Sequence, residues 1–367
     1  MSQNSIDQLR IWMKEQELDA FLVTQLQNRT YLSGWFNEDN EGSGVLVVGQ
    51  QQQILLTHSL YLEAAKREAV GWQIGEAVRL QYPARLTALA QEYGWKTLGF
   101  ESDALSFAFY DDLRRAGDGT FTLKPFLQSA INEMRQMKQP FEIELLKKAI
   151  AITDQTFAHI CEWIQPGVTE KQVALEISNT MISLGAESTS FDTIVASGPN
   201  GSMPHAHPSD RQIQRGELIT IDMGARYHGY CADMTRTICL GEPNEPRMRE
   251  YYNIVLKAMK TCEAGLHAGI TGRKADALAR EVLDQAGLGQ YYIHMTGHGV
   301  GLQIHEEPSL SYRAPDTMIL PANSVVTIEP GLYLPGWSGL RIENCGLVTE
   351  QGLQVLTQSP TELVIQK

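Results

Sequence analysis

The sequence is poor in the features that would place it in a membrane, on nucleic acid or in an oxidising compartment. No run approaches the roughly 18–20 apolar residues needed to cross a bilayer. The N-terminal stretch carries Asp7, Lys14, Glu15 and Glu17, which leaves no apolar core for a signal peptide. The five cysteines (Cys161, Cys231, Cys239, Cys262 and Cys345) are odd in number and form no CxxC pair. A disulfide framework and a thiolate zinc site are therefore not expected, and the cysteines read as packing residues in a reducing cytosol. Cations are outnumbered, 30 Lys and Arg against 43 Asp and Glu, for a formal net charge of −13. That balance offers no basic footprint to a phosphate backbone. The expectation is a cytoplasmic protein with neither a nucleic-acid nor a membrane partner.

What is present is a globular composition, 43% hydrophobic and 20% charged, in a chain of 367 residues. That length exceeds an ordinary single core and suggests two domains. The first third reads as a small α/β domain. A helix is expected over residues 5–16, with Ile6, Leu9, Trp12 and Met13 on one face. Strands are expected at 20–23, 44–48, 53–57 and 97–101, with a helix over 60–69. The region holds no GxGxxG or P-loop, so it has no phosphate cradle.

Segment 131–140 is polar, and Pro140 suits the first turn of a new helix. This places the boundary near residue 132, giving domains 1–132 and 133–367. From Phe141 a helical pattern continues to Pro166-Gly167, and Thr169-Glu170-Lys171-Gln172 opens a second helix with a capping box. Strands are expected at 191–197, 217–224, 230–240, 325–329 and 339–348, and helices at 245–266 and 273–286. Elements grouped in this way predict an α+β fold with an antiparallel or mixed sheet. No internal repeat is legible.

Four short pieces of the second half put acids and a histidine where a core would normally be apolar. Asp222 ends the apolar run Leu218-Ile219-Thr220-Ile221, and a buried ionised acid there needs a cation or strong partner. Asp233 enters a second strand after the turn Tyr227-His228-Gly229, so a hairpin would bring both carboxylates together. His298 is flanked by Gly297 and Gly299, which permits close backbone approach, and His305 follows. Glu329 ends a strand at Pro330-Gly331, and Arg341 and Glu343 share a face by the period of two. Each piece alone could be a turn, a cap or a satisfied core histidine. Together they form an oxygen-rich ligand set suited to manganese or another divalent first-row ion. Two such ions would share bridging carboxylates and a hydroxide.

At these residues the sequence resembles the creatinase/aminopeptidase P/methionine aminopeptidase family. The match runs in order through Asp222 in D-x-G, Asp233 in D-x-T-R-T, His298 in G-H-G-x-G, Glu329 in E-P-G and Glu343 in R-x-E. It covers essentially the whole chain. Arg135, Lys138, Pro140, Glu142 and Ile143 resemble the interdomain segment of the proline-specific members, aminopeptidase P and prolidase.

The resemblance implies a pita-bread catalytic domain preceded by a smaller α/β creatinase-type domain. It implies a dinuclear peptidase cutting the bond before proline in di- or oligopeptides. Asp222, Asp233, His298, Glu329 and Glu343 would bind two divalent ions, manganese first, with cobalt or zinc as alternatives. Glu329 would shuttle a proton, His205 and His305 would contact substrate and intermediate, and His294, Tyr333 and Arg341 would line the proline side. A homodimer is also implied, and residues 35–41 are a candidate gating loop. Two departures stand out: Asn344 where Asp is frequent, and an extra imidazole, His207. A creatinase-like amidinohydrolase or a non-catalytic binding member of the fold is disfavoured by the intact ligand set.

Overall fold

The structure, a computed structural model, describes residues 3–37 and 43–365. Part of the candidate gating loop, residues 38–41, lies outside them. The chain forms two compact units, Met1–Arg135 and Gln136–Lys367.

The first unit is built on a six-stranded mixed sheet. Its central strand Ala20–Val23 pairs antiparallel with Gly44–Gly49 on one side and parallel with Thr97–Glu101 on the other. The strands are continuous apolar runs because both faces are covered. At the end of Thr97–Glu101, buried Glu101 accepts hydrogen bonds from Thr24 N, Gln25 N and Asn28 Nδ2, capping the helix Leu26–Ser33. Desolvation still raises its pKa above the usual carboxylate value. Four helices here were not expected: Leu26–Ser33, Tyr82–Tyr93, Phe107–Ala116 and Ala130–Gln136. The last takes up the polar stretch because it buries Ile131, Met134 and Arg135 together. The helix expected from residue 60 starts as a 3-10 turn, Ser59–Tyr61, before Leu62–Glu68.

The second unit contains a repeat that the sequence hid. One helix pair, Pro140–Trp163 and Glu170–Ser183, packs on a sheet containing Ile194–Ser197, Leu218–Met223 and Met234–Leu240. Another pair, Pro246–Gly265 and Gly272–Gln285, packs on a sheet containing Gly297–Gly299, Val325–Ile328 and Asn344–Thr349. Each second helix is capped by a threonine side chain, Thr169 or Thr271, two residues after a positive-φ glycine. Only the short pieces Gly167-Val168-Thr169 and Gly269-Ile270-Thr271 betray this in sequence.

Three expected strands are shorter or broken. Residues 191–197 become a strand only from Ile194. The expected strand 230–240 interrupts at Ala232-Asp233, giving Tyr230–Cys231 and Met234–Leu240. The expected strand 339–348 interrupts at Ile342-Glu343, between Ser338–Arg341 and Asn344–Thr349. Simple alternation therefore does not govern where Arg341 and Glu343 point. At both breaks an acid leaves the ladder.

The loop from Ser197 to Ser209 is held by one carboxylate. Glu170 accepts hydrogen bonds from Ser197 N and Oγ, Asn200 Nδ2, and Ser209 N and Oγ. Burial alone would raise its pKa, but these donors hold it below the ordinary glutamate value. Because the folded-state pKa is depressed, the stabilisation is complete above the unfolded value and fades as pH falls through the folded one. Glu170→Gln is expected to cost about 1–3 kcal/mol by urea unfolding at neutral pH, with a smaller difference from wild type in acid.

Candidate metal centre

A cavity of about 670 Å³ opens in the second unit, lined by Asp222, Asp233, His298, Glu329 and Glu343 together with His205, His207, His294, His305 and Arg341. Tyr333 lies behind this lining and touches it through Arg341 and His294. The structure thus gathers all the expected site residues, with one of them set back from the cavity wall.

The hairpin works as the sequence suggested. Leu218–Met223 pairs antiparallel with Met234–Leu240, Asp222 facing Thr235 across the ladder, and Asp233 lies one residue beyond the last pair, Met234 with Met223. The glycines beside His298 are required by contact: a Cβ on Gly297 would come 2.0 Å from Thr327 O, and one on Gly299 2.4 Å from Glu307 O. His298 N donates to Thr327 Oγ1, whose hydroxyl lies 3.4 Å from Glu329 Oε1.

Asp233, His298 and Glu343 present ligand atoms that all lie within 4.8 Å of one another. His298 Nε2 is 3.3 Å from Glu329 Oε1 and 3.7 Å from Asp233 Oδ2. His298 Nδ1 donates to Gly299 O at 3.1 Å, which turns Nε2 toward the acids. One Asp222 oxygen is held by Arg341 at 2.5 Å, while buried Oδ1 has no hydrogen-bond partner.

Electrostatics show what this arrangement lacks. Burial, then the charges of Glu343, Asp222 and Glu329, push Asp233 well above the carboxylate range. Burial, Glu329 and Asp222 do the same to Glu343. Burial would also raise Glu329, but its hydrogen bond to His298 and the positive charges nearby pull it down to about 2. Unaided, burial and mutual repulsion disfavour the charged forms of Asp233 and Glu343, while Glu329 leans on His298. Divalent cations would remove that frustration, and the orphaned Asp222 oxygen fits such a ligand role.

Two comparisons bear on these residues. Residues 144–350 match Metallopeptidase family M24, and residues 6–137 match the Creatinase/Prolidase N-terminal domain. The chain belongs to metallopeptidase family M24. It is 36% identical to an Xaa-Pro dipeptidase of Pyrococcus furiosus, over 98% of this chain and 99% of that one. Its structure is similar to that of an Xaa-Pro dipeptidase from Bacillus anthracis, with TM-score 0.91, 40% identity and coverage of 98% and 99%. An X-Pro aminopeptidase from Thermotoga maritima gives TM-score 0.85 at 35% identity, covering 95% and 98%. The metallopeptidase therefore has the expected architecture, a creatinase-type N-terminal domain and a pita-bread catalytic domain.

Several residues around the centre carried no assigned role in the sequence. Thr235 Oγ1 donates to Glu343 Oε2 at 2.7 Å and accepts from Arg341 Nε at 2.9 Å. Fully buried Arg236 binds the backbone carbonyls of Thr235, Glu343, Ser359 and Pro360, and also Asn344 Oδ1. Asn344 Nδ2 in turn donates to Glu263 Oε1 at 2.6 Å. The amide thus relays between a cation and an anion, where a carboxylate would have faced Glu263 directly. Thr235 and Arg236 are the first threonine and the arginine of the D-x-T-R-T motif, which marked the segment without giving them roles, and Glu263 gave no signal.

Arg341 is committed on every side. Beyond Asp222 and Thr235 it donates to Tyr333 Oη at 2.5 Å, and Tyr333 lies 3.1 Å from His294 Nε2. His294 Nδ1 lies 2.8 Å from Met295 O, to which it can donate, and a neutral ring in that tautomer accepts from Tyr333 at Nε2. Burial lowers the His294 pKa accordingly. Two outcomes test this centre in the metallopeptidase. Loading metal-stripped protein with manganese at a hundredfold excess over Kd is expected to raise Tm by roughly 5–10 °C, and Glu343→Ala to abolish the rise. Arg341→Lys, which cannot serve three partners, is expected to lower turnover by about tenfold or more, while far-ultraviolet circular dichroism stays unchanged.

Proposed function

We propose that this metallopeptidase is an Xaa-Pro exopeptidase, hydrolysing the bond before proline in di- or oligopeptides. The observation that carries the reading is a single cavity lined by the four candidate ligand acids and His298, with four further imidazoles at His205, His207, His294 and His305. Its size is that of a small-ligand site, and relatives named for Xaa-Pro cleavage align over nearly the whole chain.

Asp222, Asp233, His298, Glu329 and Glu343 would hold two divalent ions, manganese in our reading. Such ions supply a hydroxide-strength nucleophile near neutral pH and a Lewis acid for the carbonyl. The protein's own groups do the rest. Glu329, beside His298, receives a proton and hands it toward the departing proline nitrogen. His305, its ring 4.4 Å from that of His298, and His205 offer N–H donors to the oxyanion. The apolar wall of Ile293 and Met295 takes the proline ring, with His294 set beside it by Tyr333. Arg341 acts by orienting Asp222 and this His294–Tyr333 pair.

Five free cysteines fit the cytoplasmic setting included in the proposal. Among the described residues no helix is long and apolar enough to cross a membrane. Homodimerisation rests on the family resemblance.

The test is hydrolysis of Ala-Pro and Ala-Pro-Ala by metal-stripped enzyme with and without manganese. Manganese-dependent cleavage is expected, the dipeptide alone marking a dipeptidase and the tripeptide an aminopeptidase. Glu329→Gln is expected to lower kcat by about 100-fold or more. Absence of cleavage with two bound ions would sink the substrate assignment.

A further inference from the structure

Lys138 and Glu306 form an ion pair 168 residues apart in sequence, with 1% and 7% of their side chains exposed. Lys138 lies just ahead of the helix Pro140–Trp163, and its backbone N donates to Asn323 O at 2.9 Å. Glu306 follows His305 and opens the strand Glu306–Leu310, where it stands opposite Gly299, the residue after His298. The Glu306 carboxylate therefore sits at the neck of the loop running from His298 to His305.

Two further contacts hold that loop, one of them on the same carboxylate. A Cβ on Gly301 would come 2.3 Å from Glu306 Oε1, so the loop folds down against it. Gly301 O accepts from Cys231 N at 2.8 Å. Beside the pair, Tyr230 Oη donates to Glu142 Oε1 at 2.9 Å. Burial raises the Glu142 pKa, and the Lys138 charge works against that rise.

An apolar pair of equal volume would serve stability as well as a buried ion pair does. What charge adds is a defined position for its partner. We propose that Lys138 is a positioning residue of the active site: its ammonium pins Glu306, and so fixes the loop that stacks His305 against His298. The inference rests on the reading of His305 as a substrate-facing group. Lys138 touches neither substrate nor the reacting atoms.

The test uses full-length chain loaded with manganese, and five variants: K138R, K138M/E306Q, H305A, G301A and the triple variant K138M/H305A/E306Q. The double variant removes both charges, so no lone buried ion is left to unfold the protein. If it nevertheless fails to fold, G301A disturbs the same carboxylate with both charges kept. Hydrogen exchange is read over residues 299–307, alongside kcat and KM for Ala-Pro. For K138M/E306Q or G301A we expect exchange about tenfold faster or more, confined to 299–307, and kcat about 10–100-fold lower with KM within about threefold. K138R is expected to recover most of kcat. Adding K138M/E306Q to H305A is expected to cost nothing further, because no imidazole is left to position. Unchanged exchange, faster exchange throughout the catalytic unit, or a multiplicative loss on top of H305A would overturn the proposal. Wild-type enzyme that cleaves no Xaa-Pro peptide would instead refute the substrate reading, and the exchange measurement would still decide the clamp.

Discussion

Four carboxylates confined to one buried cavity repel one another, and the catalytic unit is organised around tolerating that repulsion. Two arginines line the cavity, Arg313 exposed and Arg341 buried; Arg341 serves Asp222, and His298 lies between Asp233 and Glu329. Burial and repulsion raise the pKa of Asp233 and Glu343 well above the ordinary carboxylate value. An apolar core would never choose this arrangement, which costs stability unless cations compensate it. The donor chemistry and the family membership agree on the compensation.

The surroundings hold these like charges at fixed separations. Interrupting two strands at Asp233 and Glu343 lets each acid leave its sheet without dragging the ladder along. The backbone at the second break is recaptured by Thr235 O and Arg236, which bind Glu343 N and Glu343 O. Thr235 is pivotal because its hydroxyl both donates to Glu343 and accepts from Arg341. One small side chain therefore joins an acid to the cation that orients Asp222. Cys345, packed 3.1 Å from Asp233 O, completes the floor beneath.

Much of this was legible because ligands occupy positions that local patterns mark. Asp222 at the end of an apolar strand, His298 between glycines and Glu329 before Pro-Gly each violate core composition where periodicity expects a core. The breaks at Asp233 and Glu343 were not legible, since β-branched and apolar neighbours read as unbroken strand on either side. Helices such as Phe107–Ala116 were missed because their apolar faces are narrow and their polar residues numerous. Partners like Glu263 and Lys138 stayed hidden for another reason. Their contacts span 81 and 168 residues, a separation that no window of local sequence can report.

The doubled helix-pair-and-sheet plan distributes the ligands unequally. One half supplies Asp222 and Asp233, and the other supplies His298, Glu329 and Glu343. Each half has a hydrophobic core of its own, yet neither carries a complete coordination set. If such halves descend from a duplicated ancestor, catalysis arose at the seam, as a property of the pair. Drift in either copy would then be answerable to its sister, so that the shared architecture would outlast the likeness of the two sequences.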